Sequence, residues 1–190
     1  MQRGAAGKRG VRFDLLTILL VEDNQHMRIL LIEMLRAIGV RHIHEATDGA
    51  EALDTMRSTT IDVVLTDLSM SGLDGVDFVH LLRRSPDSPN PFCPIVMITG
   101  HSTERRVREA RDAGVNEFLA KPITARGLVH RLTLLIENPR PFVRAGDYFG
   151  PDRRRRDDPR YQGPRRRAED ASAFYLDDLD SERGHPTRRM

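Results

Sequence analysis

The sequence predicts an α/β protein, a doubly wound five-stranded parallel sheet with helices on both faces. Two observations carry this. Short aliphatic runs recur every few residues from Leu15 to Ile136, and segments with apolar residues at helical spacing separate them. Five strand–helix alternations of this kind imply a parallel sheet covered on both sides. About 120 residues suffice for a complete core. Beyond Asn138 apolar residues nearly vanish. The expected organisation is a flexible N-terminus over 1–14, one domain over 15–138, and a disordered charged tail over 139–190 with no separate output domain.

Taken in order, Leu16–Val21 reads as a strand buried on both faces. Gln25–Ile38 follows as a helix with Met27, Leu30, Leu31, Met34, Leu35 and Ile38 on its apolar side and Gly39 as its stop. His42–Ala46 is a short second strand. Asp48 can cap a helix holding Ala52, Leu53 and Met56. Asp62–Asp67 is a third, buried strand. After the turn Ser71–Gly75, a helix carrying Val76, Val79, Leu81 and Leu82 runs to about Arg84. Four prolines between Ser85 and Pro94 make that stretch a loop. Ile95–Thr99 is the fourth strand, Thr103–Ala113 a helix ended by Gly114, and Glu117–Ala120 the fifth strand. Thr124 can cap a last helix with Leu128, Leu132, Leu135 and Ile136.

In such sheets ligands bind at the carboxyl ends of the strands. There the chain places Glu22-Asp23 after the first strand, Asp67 at the end of the third, Thr99 at the end of the fourth, and Lys121-Pro122 after the fifth. Carboxylates that share a pocket raise one another's pKa unless a cation joins them. An all-oxygen, anionic pocket suits a hard divalent ion, and Mg2+ keeps waters that a phosphate can displace. Lys121 and Thr99 supply the positive charge and the hydroxyl donor that a transferred phosphoryl group needs. Asp67, on the central strand between the acids and the lysine, is the choice for nucleophile. Each residue also has an ordinary reading: Asp23 or Asn24 can cap the first helix, Asp67 can open a turn, and Phe118 can be core. Their joint placement at successive strand ends favours a site.

The segments VEDN at 21–24, LTDLSMSGLDG at 65–75, MITG at 97–100 and FLAKP at 118–122 resemble the signature segments of response-regulator receiver domains. Asp23, Asp67, Thr99 and Lys121 follow one another at separations of 44, 32 and 22 residues, which suit that family. The resemblance covers about 15–138. It implies a flavodoxin-like receiver: a single-domain response regulator whose Asp67 takes a phosphoryl group from a phosphohistidine donor, on a histidine kinase or a histidine phosphotransfer protein. It further implies that Asp23 ligates Mg2+ directly, that Glu22 acts on it through water, and that the Ser69 carbonyl adds an oxygen. Lys121 is then the partner of a phosphoryl oxygen, Thr99 and Phe118 are the switch residues, and the bond before Pro122 is cis. A downstream protein would dock on the face of the fourth helix, fifth strand and fifth helix. Such a module phosphorylates and dephosphorylates itself and is not a turnover enzyme. Where the family usually has proline this chain has Ser71, from which a looser turn is expected.

Other phosphate chemistries lack their motifs. There is no G-x-x-x-x-G-K-[ST] or G-x-G-x-x-G loop, and Asp67-Leu68-Ser69 lacks the second acid of a D-x-D phosphatase pair. The seven histidines show no metal-ligand spacing, and the single Cys93 excludes an internal disulfide. No run approaches the ~20 apolar residues of a membrane span. The basic N-terminus lacks a signal-peptide cleavage site. A cytoplasmic protein is expected.

Net charge is only +2, but the charges lie in blocks. The fourth helix carries Arg105, Arg106, Arg108 and Arg111, which serve either a solvated, internally paired face or an acidic partner. In the tail, 151–168 hold eight arginines against three acids, whereas 169–182 hold six acids and no base. Three readings stand side by side: a solvated disordered tail; nucleic-acid binding by the arginines of Arg153–Arg167 with Tyr148, Phe149 and Tyr161 stacking on bases; and a docking motif built on Phe174, Tyr175, Leu176 and Leu179. The second makes the alternative function a nucleic-acid-associated regulator whose tail is gated by the domain.

Overall fold

The computed structural model describes residues 11–100, 103–153 and, as backbone, 172–174. A 3-10 turn, Phe13–Leu15, leads into β1 (Thr17–Val21), and from there strands and helices alternate: α1 (Gln25–Ala37), β2 (His42–Ala46), α2 (Gly49–Ser58), β3 (Val63–Asp67), α3 (Gly75–Arg84), β4 (Ile95–Thr99), α4 (Glu104–Ala113), β5 (Glu117–Ala120) and α5 (Ala125–Glu137). Every predicted strand and helix is present, with ends displaced by at most one residue. The five strands pair in parallel in the order β2-β1-β3-β4-β5. Strand order therefore reverses between β1 and β3, which opens a crevice at their carboxyl ends.

Residues alternate faces along each strand, so the sheet has two cores. On one side Leu19, Val21, Val64, Ile95 and Met97 meet Ala52 and Met56 of α2, Phe78 and Leu82 of α3, and Ala110 of α4. On the other, Ile18, Leu20, Val63, Leu65, Val96 and Ile98 meet Leu31 and Leu35 of α1 and Leu128 and Leu132 of α5. Each fully buried aliphatic side chain contributes roughly 1.5–3 kcal/mol, and this uninterrupted double core fixes the strand ends.

Side-chain caps start the helices. Asn24 accepts from the Met27 amide, Asp48 from Ala50 and Glu51, Asp74 from Val76 and Asp77, and Thr124 from Gly127. The cap of α1 thus falls on Asn24 and not on Asp23. Gly39 and Gly114 sit at φ 103° and 112° where α1 and α4 end, in the left-handed region that glycine adopts at little cost.

The expectation of an irregular chain from residue 139 requires correction. Phe142–Ala145 (β6) and Tyr148–Pro151 (β7) form an antiparallel hairpin. Its two-residue loop is Gly146-Asp147, in which only Gly146 has positive φ, 55°, the pattern of a type II′ turn. Phe142 is fully buried and Phe149 nearly so. They surround Phe92 edge-on, at centroid distances of 5.3 and 5.1 Å. Beneath them lies Arg83, 3% exposed. Its guanidinium donates to the carbonyls of Pro91, Cys93 and Gly114 and to Asn116 Oδ1, and stands 5.0 Å from the Phe142 ring centre. The hairpin is held because it completes an apolar cover over a cation whose donors are already satisfied. A third strand, β8 (Ser172–Phe174), pairs antiparallel with β6. The rest of the tail lies outside the described residues, as do residues 1–10 of the N-terminus.

Candidate functional site

Three loops bring the predicted residues together at the carboxyl edge of the sheet. β1 ends at Val21 and its extension continues as Glu22, whose amide donates to Ala46 O at 3.1 Å. Arg28, one turn into α1, donates to the Glu22 carbonyl at 2.8 Å and pins this corner. Asp67 closes β3, where Leu68 N donates to Asp67 Oδ1 at 2.8 Å and thereby orients the carboxylate. Lys121 follows β5, its amide bonded to Thr99 O at 2.7 Å, so the ends of β4 and β5 are tied together. The Lys121–Pro122 bond is cis, as expected.

The Lys121 ammonium lies 2.9 Å from Asp67 Oδ2 and 3.5 Å from Glu22 Oε2. Glu22 is 1% exposed and Asp67 8%. Burial, and then the charge of Asp67, push the Glu22 carboxyl above its ordinary value, offset only in part by Lys121. Burial alone would depress the Lys121 ammonium, but its hydrogen bond to Asp67 and the two negative charges overcome this and raise it. Glu22 Oε1 accepts from the Asn24 amide at 3.2 Å, while Oε2 is buried without a hydrogen-bond partner.

Asp23 stands at the exposed rim. Its Oδ2 accepts the Ser71 amide at 2.8 Å, and this bond lowers its pKa. The turn expected to be loose at Ser71 is therefore tied to the site by an N–H that proline would lack. Ser69 lies exposed in the bend after β3. Thr99 ends β4 and is 8% exposed. Phe118 is half-buried and packs on the core shared by α3 and α4, beside a cleft lined by Arg111, Tyr148, Pro151 and Arg153.

The residues fit a hard cation. Two buried carboxylates, Glu22 and Asp67, share one lysine while Asp23 stands at the rim, and Glu22 Oε2, 3.5 Å from the ammonium, has no full hydrogen-bond partner, so there is room for a further positive or donor group. Among the described residues no three acidic, histidine or cysteine side chains close into a ready-made cage. Mg2+ takes one or two carboxylates and retains water.

Sequence reasoning missed the Ser71 amide, the Asp74–Arg106 pair at 2.6 Å that joins the start of α3 to α4, and the hairpin. The four arginines of α4 are all matched within the domain. Arg105 and Arg106 meet Glu109, Arg108 meets Glu104, and Arg111 meets Asp112. This favours the solvated, paired helix over a face for an acidic partner. Two of the three aromatics proposed for base stacking are committed elsewhere. Phe149 is buried against Phe92, and Tyr148 lies 4.0 Å beneath the Arg153 guanidinium, which also pairs with Asp112. Tyr161 and the arginines beyond Arg153 lie outside the described residues.

Comparison with known proteins agrees with this geometry. Residues 18–133 match the response regulator receiver domain model. The chain is 35% identical to Chemotaxis protein CheY-3 of Vibrio cholerae over 120 residues, which cover 63% of this chain and 91% of that protein. It is 33% identical to Chemotaxis protein CheY of Pseudomonas aeruginosa, again over 63% of this chain and 95% of the relative. Among solved structures, chemotaxis response regulator CheY4 of Vibrio cholerae superposes with a TM-score of 0.57 at 27% identity, covering 64% of this chain and 98% of that one. The receiver domain of a sensor histidine kinase of Pseudomonas aeruginosa, with a magnesium ion coordinated in its active-site cleft, superposes at 0.55 with 28% identity over 63% and 94%.

Proposed function

Because the chain belongs to the response regulator receiver family, we propose that it is a single-domain response regulator that accepts a phosphoryl group on Asp67 from a phosphohistidine donor in a Mg2+-dependent reaction. The observation that carries this is the Lys121 ammonium, 2.9 Å from one Asp67 oxygen while Leu68 N holds the other. A carboxylate fixed in this way presents a lone pair outward from the crevice, and a donor there loses its P–N bond as the O–P bond forms. The donor's imidazole nitrogen keeps the electron pair and takes a proton. Lys121 moves from pairing with Asp67 to pairing with a phosphoryl oxygen, and Thr99 supplies a hydroxyl donor to another. Asp23, Asp67 and the Ser69 carbonyl would hold Mg2+, with Glu22 acting on it through water. Bound there, the ion would offset the negative charge that gathers on the phosphoryl oxygens.

Its partners on this reading are a histidine kinase or histidine phosphotransfer protein, and a downstream protein on the face of α4, β5 and α5. The chain is a self-phosphorylating and self-dephosphorylating switch, not a turnover enzyme. Among the described residues no helix is long and apolar enough to cross a membrane, and we place the protein in the cytoplasm. The second reading, a nucleic-acid-associated regulator, rests on the arginines of Arg153–Arg167 alone. A salt titration against single-stranded nucleic acid tests it, and no binding at low salt removes it.

Intact mass after incubation with a small phosphodonor and Mg2+ tests the main reading. The wild type should gain one phosphoryl group and Asp67→Asn none. An equal gain in both proteins refutes the assignment.

A further inference from the structure

The small C-terminal sheet has the order β7-β6-β8, with β6 in the middle. β6 pairs with β7 through a tight turn, but its other edge is covered by a segment much farther along the chain. Phe142 is level with Phe174, Val143 with Ala173 and Arg144 with Ser172. Both outer strands run antiparallel to β6 and hence parallel to each other. Two parallel strands of one sheet, here on either side of β6, need a crossover connection of a dozen or more residues. Residues 152–171, which separate Pro151 from Ser172, supply 20. The chain is long enough to reach that edge by itself.

Two further observations bear on what occupies it. Without β8 the outer edge of β6 would present a row of unpaired N–H and C=O groups, a template for any extended strand. The charges also match. Arg144 of β6 is exposed, its guanidinium 4.9 Å from the Phe149 ring centre, whereas Arg140 and Arg153 already pair with Glu117 and Asp112. The segment that covers the edge lies within 169–182, which has six acids and no base, with Asp170 before the paired residues and Asp177 after them.

We propose that the outer edge of β6 is a strand-docking site, and that its occupant is the chain's own Ser172–Phe174, carried by the acidic stretch 169–182 and bound in cis by strand addition. Main-chain hydrogen bonds supply the attachment, and Arg144 favours a strand with acidic flanks. The tail thereby returns to the domain, and the edge is the surface for which an extended acidic peptide competes.

Amide hydrogen exchange on the full chain tests this, comparing wild type with Ala173→Pro and Phe174→Pro. Successive N–H groups of a strand point to opposite sides, so one of the two variants removes the N–H that faces β6. In that variant the β6 amides directed away from β7 should exchange at least about tenfold faster, while those directed toward β7 stay unchanged as an internal control of folding. Added synthetic peptide 169–182 should restore the protection, less well as salt rises, and the proline-substituted peptide should not. Unchanged exchange in both variants overturns the proposal. So does a wild-type dimer in sedimentation that the active variant dissolves, because the occupant would then be a second copy's segment. A monomer at all concentrations with full protection supports attachment in cis.

Discussion

Lys121 is shared by two buried carboxylates, and its removal should be felt at both. In Lys121→Met the negative charge of Asp67 and Glu22 loses its counterion, and the incoming phosphoryl oxygens lose a donor. Phosphorylation by a small phosphodonor at saturating Mg2+ should slow by at least about tenfold; an unchanged rate counts against the role given to Lys121. The Ser71–Asp23 bond has a pH signature. The Ser71 amide lowers the Asp23 pKa in the folded state, so its stabilisation is present above the unfolded value of about 3.9 and lost as pH falls through the lower folded value. Ser71→Pro removes that donor. The stability of wild type relative to Ser71→Pro should therefore shrink as pH drops below about 4, as read from denaturant midpoints; a pH-independent difference would refute it. Asp67, Asp23 and Lys121 were legible in the sequence because each follows an apolar run whose end a parallel sheet places at one edge. The Ser71 bond was not, since which backbone N–H meets a carboxylate depends on loop torsions that no periodicity encodes.

Among the elements, the turn from β3 into α3 is the most constrained. A Cβ on Gly75 would come within 2.1 Å of the Asp67 carbonyl oxygen, so the glycine serves close approach and not unusual backbone torsion. Gly75→Ala should destabilise the domain by about 2 kcal/mol or more and displace Asp67; native stability in urea unfolding contradicts this. The five helices and five strands could be read in advance because caps, apolar periodicity and stops agree with one another at each end. The β6–β7 hairpin could not be read with equal ease, although a signal existed. Gly146-Asp147 between Phe142–Ala145 and Tyr148–Pro151 is a hairpin turn chemistry. The charge-rich composition around it masked eight strand residues, and their burial depends on Arg83, Phe92 and Gly114, which lie far away in sequence.

For the molecule as a whole, the domain extends past α5 to include the hairpin. Phe142 is buried completely against Phe92 and Arg83, and Phe142→Ala should cost about 3 kcal/mol of unfolding free energy. A loss under about 0.5 kcal/mol, the range of surface substitutions, would mean that the hairpin is not packed there. A truncation meant to ask what the tail does must therefore begin after Arg153 and not at Pro139, or it opens the core above Arg83. Arg140 and Arg131 both pair with the buried Glu117 at the start of β5, so the hairpin and α5 are anchored on the strand that delivers Lys121. Composition identified the tail as poor in apolar residues, and that is true of its average. Phe142 and Phe149, packed round Phe92, were enough to add a hairpin.

The most direct test of the central claim is to locate the phosphoryl group. Borohydride reduction of the phosphorylated chain converts an acyl phosphate to an alcohol, and peptide mapping then identifies the residue. Conversion confined to Asp67, dependent on Mg2+ and on the phosphodonor, is the predicted result. Modification at another residue, or a phosphate that survives reduction on a hydroxyl or imidazole, would contradict it.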